Sequence, residues 1–430
     1  MKKIAFLLTA LSLLPAVAEA AAESAIDSGN TAWMLASTAL VMLMTPGIGL
    51  FYGGMVRRKN VLGTMIQGFA ILSVVSVIWV LWGYTLAFGP DIGGVIGGLN
   101  WFMLNGISEE SAQRAGTVPH LIFAMYQGMF AAITPAIITG VFAERMKFSA
   151  LLVFTVLWVT FVYAPVCHWM WGGGWMGEIM GVLDFAGGVV VHISAAVSAV
   201  AALIIIGKRR GYGVMAMPPN NLPLTVLGGG LLWFGWFGFN AGNAGSTGGV
   251  AATALVSTNT AAGAAALAWL FIEWRHVGRP TVLGIVSGAI TGLVAITPAA
   301  GYVTPMASIV IGAVAGLLCY IAVMLKQRFG YDDSLDVVCI HGVGGTWGAA
   351  AAGLFASQAV NPLGVNGVFY GNPPVLAIQV IAVLGTYIFV FTASFVVLKT
   401  VDISIGLRVD EETEYTGIDK AQHGESGFIL

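Results

Sequence analysis

The chain of 430 residues is 58% hydrophobic and 9% charged, with 18 basic and 20 acidic side chains and a net charge of −2. Soluble chains carry about 25% charged residues, so a soluble fold of this size lacks the charge to cover its surface. No basic face exists for nucleic-acid binding, and the three cysteines show no ligand spacing that would suggest a disulfide framework or metal site.

At the N-terminus, Lys2 and Lys3 precede an apolar run from Ile4 to Leu14, followed by Pro15 and the small-residue site Ala18-Glu19-Ala20. This pattern predicts a secretory signal peptide over residues 1–22 and a mature N-terminus outside the cell. The run is too short for a helix of about 20 residues that crosses a bilayer. Residues 23–400 then read as a membrane domain and 401–430 as a polar cytoplasmic tail.

Eleven apolar stretches follow, at 32–56, 61–88, 118–142, 148–170, 185–207, 222–243, 250–273, 281–300, 305–325, 337–357 and 374–399. The predicted fold is an all-α polytopic membrane protein. Fifteen of the 18 bases fall in alternate loops or the tail, from Arg57, Arg58 and Lys59 through Arg145, Lys208 and Lys326 to Lys420. Arg114 alone falls on the other side, and the leader holds the remaining two. This bias predicts an external N-terminus and an internal C-terminus.

Spans 5 and 10 each carry a histidine eight residues after an aspartate, Asp184…His192 and Asp333…His341. Five-span halves over 32–207 and 222–357 would have opposite topology, with the conduction path between them and 374–399 as an extra helix. Gly284, Gly288 and Gly292, like Gly312 and Gly316, recur every fourth residue, as close helix packing requires.

Ionisable groups in hydrocarbon are expensive and therefore informative. His192 and His341 lie in apolar sequence; His120, His168, His276 and His423 lie at span ends, in loops or in the tail. Two neutral imidazoles facing one lumen can donate to, accept from and pass a proton to a small polar molecule. Zinc would need a third ligand, and no HExxH or Cys/His spacing is present. Asp184 and Asp333 read first as helix N-caps, with Asp184 also adding negative charge at the outer mouth. His192 would lie about 12 Å below the outer end of its helix. His341 matches that depth if its helix starts at Asp333, and is shallower if it starts at Val337. Trp171 is either an interfacial belt residue or a cation–π face at a pore mouth. Tyr126 and Phe130 are four apart. Trp236, Phe239 and Asn243 share one helical face, as a packing stripe or a gate.

Several segments together resemble the Amt/Mep/Rh ammonium transporter family, closest to its bacterial Amt branch. They are PGIGLFYGGMVRRKN (46–60), DFAGGVVVHISAAVSAVAALIIIGKR (184–209), GWFGFNAGN (235–243), DVVCIHGVGG (336–345) and IGLRVDEETEYTGIDKAQHGE (405–425). The resemblance runs in order from the first span to the tail. It implies an eleven-span homotrimer in the bacterial inner membrane, with one pore per subunit and no cofactor. Trp171, Asn243, Phe130 and the nearby Asp184 would form the outer substrate site. Phe130 and Phe239 would form an aromatic gate, with Tyr126 and Trp236 beside it. His192 and His341 would be the paired pore histidines. Asn243 stands where serine is frequent and Tyr126 where phenylalanine is usual. The tail and inner loops would receive a PII-type signal protein.

The resulting expectation is an ammonium channel rather than an enzyme. Ammonium is gathered outside, loses a proton and crosses as ammonia, with the proton left outside or passed separately. A Rh-like gas channel and an ion-coupled transporter of another amine stay open, the latter because of the breaks at Thr45-Pro46-Gly47 and Thr297-Pro298. A membrane enzyme would need a nucleophile or metal motif that the sequence lacks. A sensor would need a larger signalling domain than the tail supplies.

Overall fold

The computed structural model describes residues 25–110 and 114–428. The expected leader at 1–22 lies outside the described residues. The helical spans are α1 Ser28–Met55, α2 Arg58–Phe88, α3 His120–Phe142, α4 Phe148–Ile179, α5 Gly188–Ile206 and α6 Leu222–Ala244. They continue with α7 Gly249–Val277, α8 Val282–Ile296, α9 Pro305–Phe329, α10 Val338–Phe355 and α11 Pro374–Ile405. Two short helices, α12 Glu411–Thr416 and α13 Ile418–His423, end the chain. The only sheet among the described residues is a hairpin after α2, with β1 Asp91–Ile92 antiparallel to β2 Ile96–Gly97.

Ten of these helices are long and apolar enough to cross a membrane. The eighth expected stretch, 281–300, is helical for only 15 residues. Its helix ends just before Pro298, which has no N–H to continue the ladder. Several starts carry the side-chain caps that their sequences supply: Asp27, Asn221, Thr281 and Thr304 each accept a backbone N–H of the first turn.

Small residues set the closest approaches. A Cβ on Gly228 of α6 would run into the backbone of Phe51 on α1. Gly292 and Gly312 would likewise strike the backbone at Ala261 of α7, so α7, α8 and α9 pack as one group. Large apolar side chains stay exposed on the outer faces, including Phe161, Phe234, Phe271 and Ile388. Exposed apolar patches of this extent mark surfaces that meet lipid or another protein.

The tail is packed against the end of the bundle that carries Asn60, Gly63 and Arg145. The Val409 N–H donates to the Arg145 carbonyl, and the Lys147 N–H donates to Leu407. Asp419 Oδ1 accepts from the Gly63 N–H at 2.7 Å, and Asn60 Oδ1 accepts from the Ile418 N–H at 2.9 Å. Ile418 and Asp419 are buried as a result.

Candidate functional site

Asp184 and Asp333 turn out to do the same work at two helix starts. Asp184 Oδ1 accepts from the N–H groups of Gly187 and Gly188 at 3.1 and 2.5 Å. Its Oδ2 accepts from Val189 and Val190 at 2.8 and 3.1 Å. Four orphan donors of the α5 start are thereby satisfied. Asp333 caps α10 in the same way, accepting from Val337 and Val338 at 3.0 and 2.9 Å. The α10 start is therefore the later of the two considered, and Asp333 is its cap. Both helices open with a π-helical turn, Gly188–Ile193 and Val338–Val343, and each turn carries its histidine.

The two histidines meet. His192 Nδ1 and His341 Nδ1 are 3.1 Å apart, and their ring centroids are separated by 5.1 Å. One ring must donate and the other accept, so at least one is neutral. His192 Nε2 lies 3.4 Å from Thr297 Oγ1. Thr297 donates its hydroxyl proton to the Leu293 carbonyl and accepts the Trp236 indole N–H at 2.9 Å. A tautomer set consistent with this network has His192 Nε2–H donating to Thr297. His341 Nδ1–H then donates to His192 Nδ1, leaving His341 Nε2 as an acceptor. Trp236 also stacks on His192 at 5.5 Å and 27°. Thr297 is a site residue that charge and histidine spacing did not single out; its only sequence signal is a hydroxyl at a proline break.

Above the pair, Phe130 and Phe239 are fully buried, with ring centroids 4.3 Å apart and planes tilted by 33°. Trp171 meets Phe130 edge-on at 6.0 Å, and its indole N–H donates to the Asp184 carbonyl at 2.9 Å. Trp171, Asp184 and Asn243 border a cavity of about 690 Å³, together with Arg114 and Gln127. Below the phenylalanines, His192, His341, Trp236 and Phe239 border a space of about 20 Å³ with Tyr52 and Ile137. That is room for about one water-sized molecule. Trp171, Asp184 and Asn243 thus border the larger cavity, His192, His341, Trp236 and Phe239 border the smaller space, and Phe130 stacks on Phe239 with Tyr126 beside it.

Two residues sit there for reasons of support. The Tyr126 hydroxyl donates to the carbonyls of Gly238 and Phe239, at 2.9 and 3.1 Å, which ties α3 to α6 behind the phenylalanine pair. Asn243 Nδ2 donates to the Phe239 carbonyl at 2.8 Å, which turns its amide oxygen the other way. On the rim, Arg114 Nη1 donates to the Trp171 carbonyl at 3.1 Å and lies 3.5 Å from Glu178.

The remaining histidines are tied to neighbours. His168 binds the Ala87 carbonyl and Asp91, His120 meets the Tyr84 hydroxyl, and His276 meets that of Tyr320. His423 packs edge-on against Phe148. The three cysteines are free and buried. Asp333, Asp336 and Cys339 form a compact acid and thiol cluster at the start of α10. The Lys326 ammonium rests on it, donating to the Asp333 carbonyl at 2.8 Å and pairing with Asp336, so the cluster already has a cation.

The end of the bundle that holds the tail also carries a charge network that the sequence did not reveal. Arg145 is fully buried and pairs with Asp332 at 2.7 Å; Arg209 holds the same carboxylate at 2.8 Å. Arg57 pairs with buried Glu144 at 2.6 Å. Burial pulls the Arg145 guanidinium down to about 10, against the opposing charge of Asp332. Burial pushes the Asp332 carboxyl up, but hydrogen bonds from Arg209 and the charge of Arg145 outweigh it and hold the group below its usual range.

The family model described as Ammonium Transporter Family matches residues 32–428. The ammonium transporter of Bacillus subtilis is 52% identical over 94% of this chain and 99% of its own length. Ammonium transporter Amt1 of Archaeoglobus fulgidus is 49% identical over 94% of this chain and 100% of its own length. Among solved structures, Candida albicans Mep2 superposes with a TM-score of 0.84 at 35% identity, over 90% of this chain and 87% of that one. With a family match across nearly the whole chain and relatives of this identity at full length, the protein belongs to the ammonium transporter family.

Proposed function

We propose that the protein recruits ammonium in the outer cavity, conducts it as ammonia past the phenylalanine pair to the two histidines, and passes the released proton across separately along those imidazoles. The observation that carries this reading is the order of the parts. A roomy cavity with polar walls is followed by a closed aromatic pair and then by a space for one small molecule beside two imidazoles. A cation stripped of water in that apolar space is very costly, whereas neutral ammonia is not. Ammonia can donate to the free His341 Nε2 lone pair. Potassium can neither donate a hydrogen bond nor lose its charge as a proton, so it is rejected.

Trp171 and Phe130 offer ring surfaces to the cation, and Asn243 offers its amide oxygen. Asp184 contributes mainly by fixing the α5 start and the Trp171 indole. The gathering of bases at one end supports an internal C-terminus in a bacterial plasma membrane. Apolar faces exposed on α1, α6 and α7 suit packing in a homotrimer as well as lipid. The tail held against Asn60, Gly63 and Arg145 offers a built surface to a PII-type partner.

The test is ammonium-evoked current in proteoliposomes, with internal pH recorded alongside, for the wild type and a His192→Ala/His341→Ala variant. The expected wild-type signal saturates, ignores potassium and is lost in the variant. Internal pH change without current would replace it with a neutral gas channel. Neither signal from folded protein would refute transport.

A further inference from the structure

Gln127 occupies a place that the account above leaves without a role. It lies on α3 three residues before Phe130, on the same helical face. It borders the cavity of about 690 Å³ and a neighbouring outer cavity of about 380 Å³, which also reaches Tyr126 and Asn243. Yet the residue is only 4% exposed, and its Oε1 accepts no hydrogen bond from any described residue. A buried amide oxygen without a donor is costly and calls for a partner. The polar neighbours on α3 have theirs: Tyr126 donates to Gly238 and Phe239, and Thr134 donates to the Phe130 carbonyl.

We propose that Gln127 is a substrate-binding residue of the outer site, its amide oxygen accepting an N–H of ammonium as the cation reaches Phe130. This rests on the reading that ammonium is recruited in that cavity. An ammonium ion carries four N–H donors, and each needs an acceptor as water is shed. Aromatic faces attract the charge but take few directed bonds. Gln127 and Asn243 supply carbonyl oxygens from two helices, α3 and α6, above the phenylalanine pair. The arrangement selects small cations that donate in several directions at once. Methylammonium has one donor fewer, so it leans less on this oxygen.

The experiment compares wild type with Gln127→Met, which keeps length but loses the acceptor, and Gln127→Glu, which keeps an acceptor. Ammonium and methylammonium binding to the purified full chain are titrated by calorimetry, and flux is measured in proteoliposomes. Gln127→Met is expected to weaken ammonium binding about tenfold, the scale of one lost bond to a charged donor. Methylammonium should lose less, and Gln127→Glu should bind ammonium at least as well as the wild type. Equal losses for both ions, a Gln127→Glu variant as weak as Gln127→Met, or unchanged binding in both variants would overturn the assignment. Wild-type binding that responds to Gln127→Met but produces no flux would refute conduction and leave the binding role of Gln127 standing.

Discussion

Replacing Asp184 by Asn tests whether the helix start, rather than the charge, is what this residue provides. The carboxylate accepts four backbone N–H bonds, two on each oxygen, while buried at 4% exposure. Asparagine keeps one oxygen and turns an NH₂ group toward the other two N–H donors. Two bonds to a charged acceptor are lost, at about 1.5–3 kcal/mol each. The loss should therefore reach about 3–6 kcal/mol, a large share of the ~5–15 kcal/mol that holds a typical fold. Asp333→Asn is the internal control, because its carboxylate accepts only two such bonds. One oxygen can retain one of them, so the loss should be about half. The assay is thermal unfolding of the purified protein in detergent, with flux measured on the fraction that stays folded. The expected order of melting temperatures is wild type, then Asp333→Asn, then Asp184→Asn. An Asp184→Asn variant that melts like the wild type but loses flux would refute the capping argument and make the charge itself the functional element.

Other perturbations follow from the same contacts. Arg145→Met leaves buried Asp332 with one partner fewer and should cost about 3–5 kcal/mol, read as a lower melting temperature. Because Asp332 ionises more readily in the folded protein, its contribution is present above the unfolded carboxyl value of about 3.9. It is lost as pH falls through the lower folded value, so a melting series should show a step down below about pH 4 that Asp332→Asn abolishes. In Gly188→Ala the new methyl would come within 2.6 Å of the Pro298 ring, and this overpacking should cost about 1–3 kcal/mol and reduce flux. Tyr126→Phe removes the hydroxyl that holds the Gly238 and Phe239 carbonyls; it should cost about 1 kcal/mol in a melting assay and leave ammonium flux intact.

What the sequence reveals and what it hides divide along physical lines. Apolar runs of bilayer length mark spans because hydrocarbon demands them, and each run holds a helix, several of which extend a few residues or more past its ends. The exception, α8, is cut short by Pro298, a residue visible in the sequence whose effect on length depends on where the next turn goes. His192, His341, Phe130 and Phe239 were legible because such groups stand out in apolar surroundings or match a family pattern. Thr297 and Gln127 carry no charge and sit among many similar residues; only their positions distinguish them. The pairs Arg57–Glu144 and Arg145–Asp332 were hidden for another reason. Their members lie 87 and 187 residues apart, and bases at span ends carry the same signal whether they face water or a buried carboxylate. The tail reads as polar, yet Ile418 and Asp419 are buried against α2 because their partners, Asn60 and Gly63, are far away in the chain.

The contact between the histidines is built by backbone as much as by side chains. Each ring rides on the first turn of a helix, close to the cap, where the ladder widens to π geometry and the chain is least constrained by preceding carbonyls. For two such turns to bring their Nδ1 atoms to 3.1 Å, the helices behind them must approach closely. The residues that follow His341 are Gly342, Val343, Gly344 and Gly345. A Cβ on Gly345 would come within 3.2 Å of the His192 Cβ, and one on Gly342 within 3.2 Å of the Ala196 Cβ. The glycines after one histidine thus make room for the other histidine and its helix. Pro298 packs behind Gly188, and the preceding Thr297 turns its hydroxyl to His192 and Trp236. The proline that shortens α8 therefore places the hydroxyl against which the first imidazole is oriented. A side chain added at Gly345 would move that imidazole before it touched anything in the cavity. Gly345→Ala should therefore lower flux while leaving the outer-site affinity for ammonium unchanged, and a variant that weakened binding without slowing flux would contradict this division of labour.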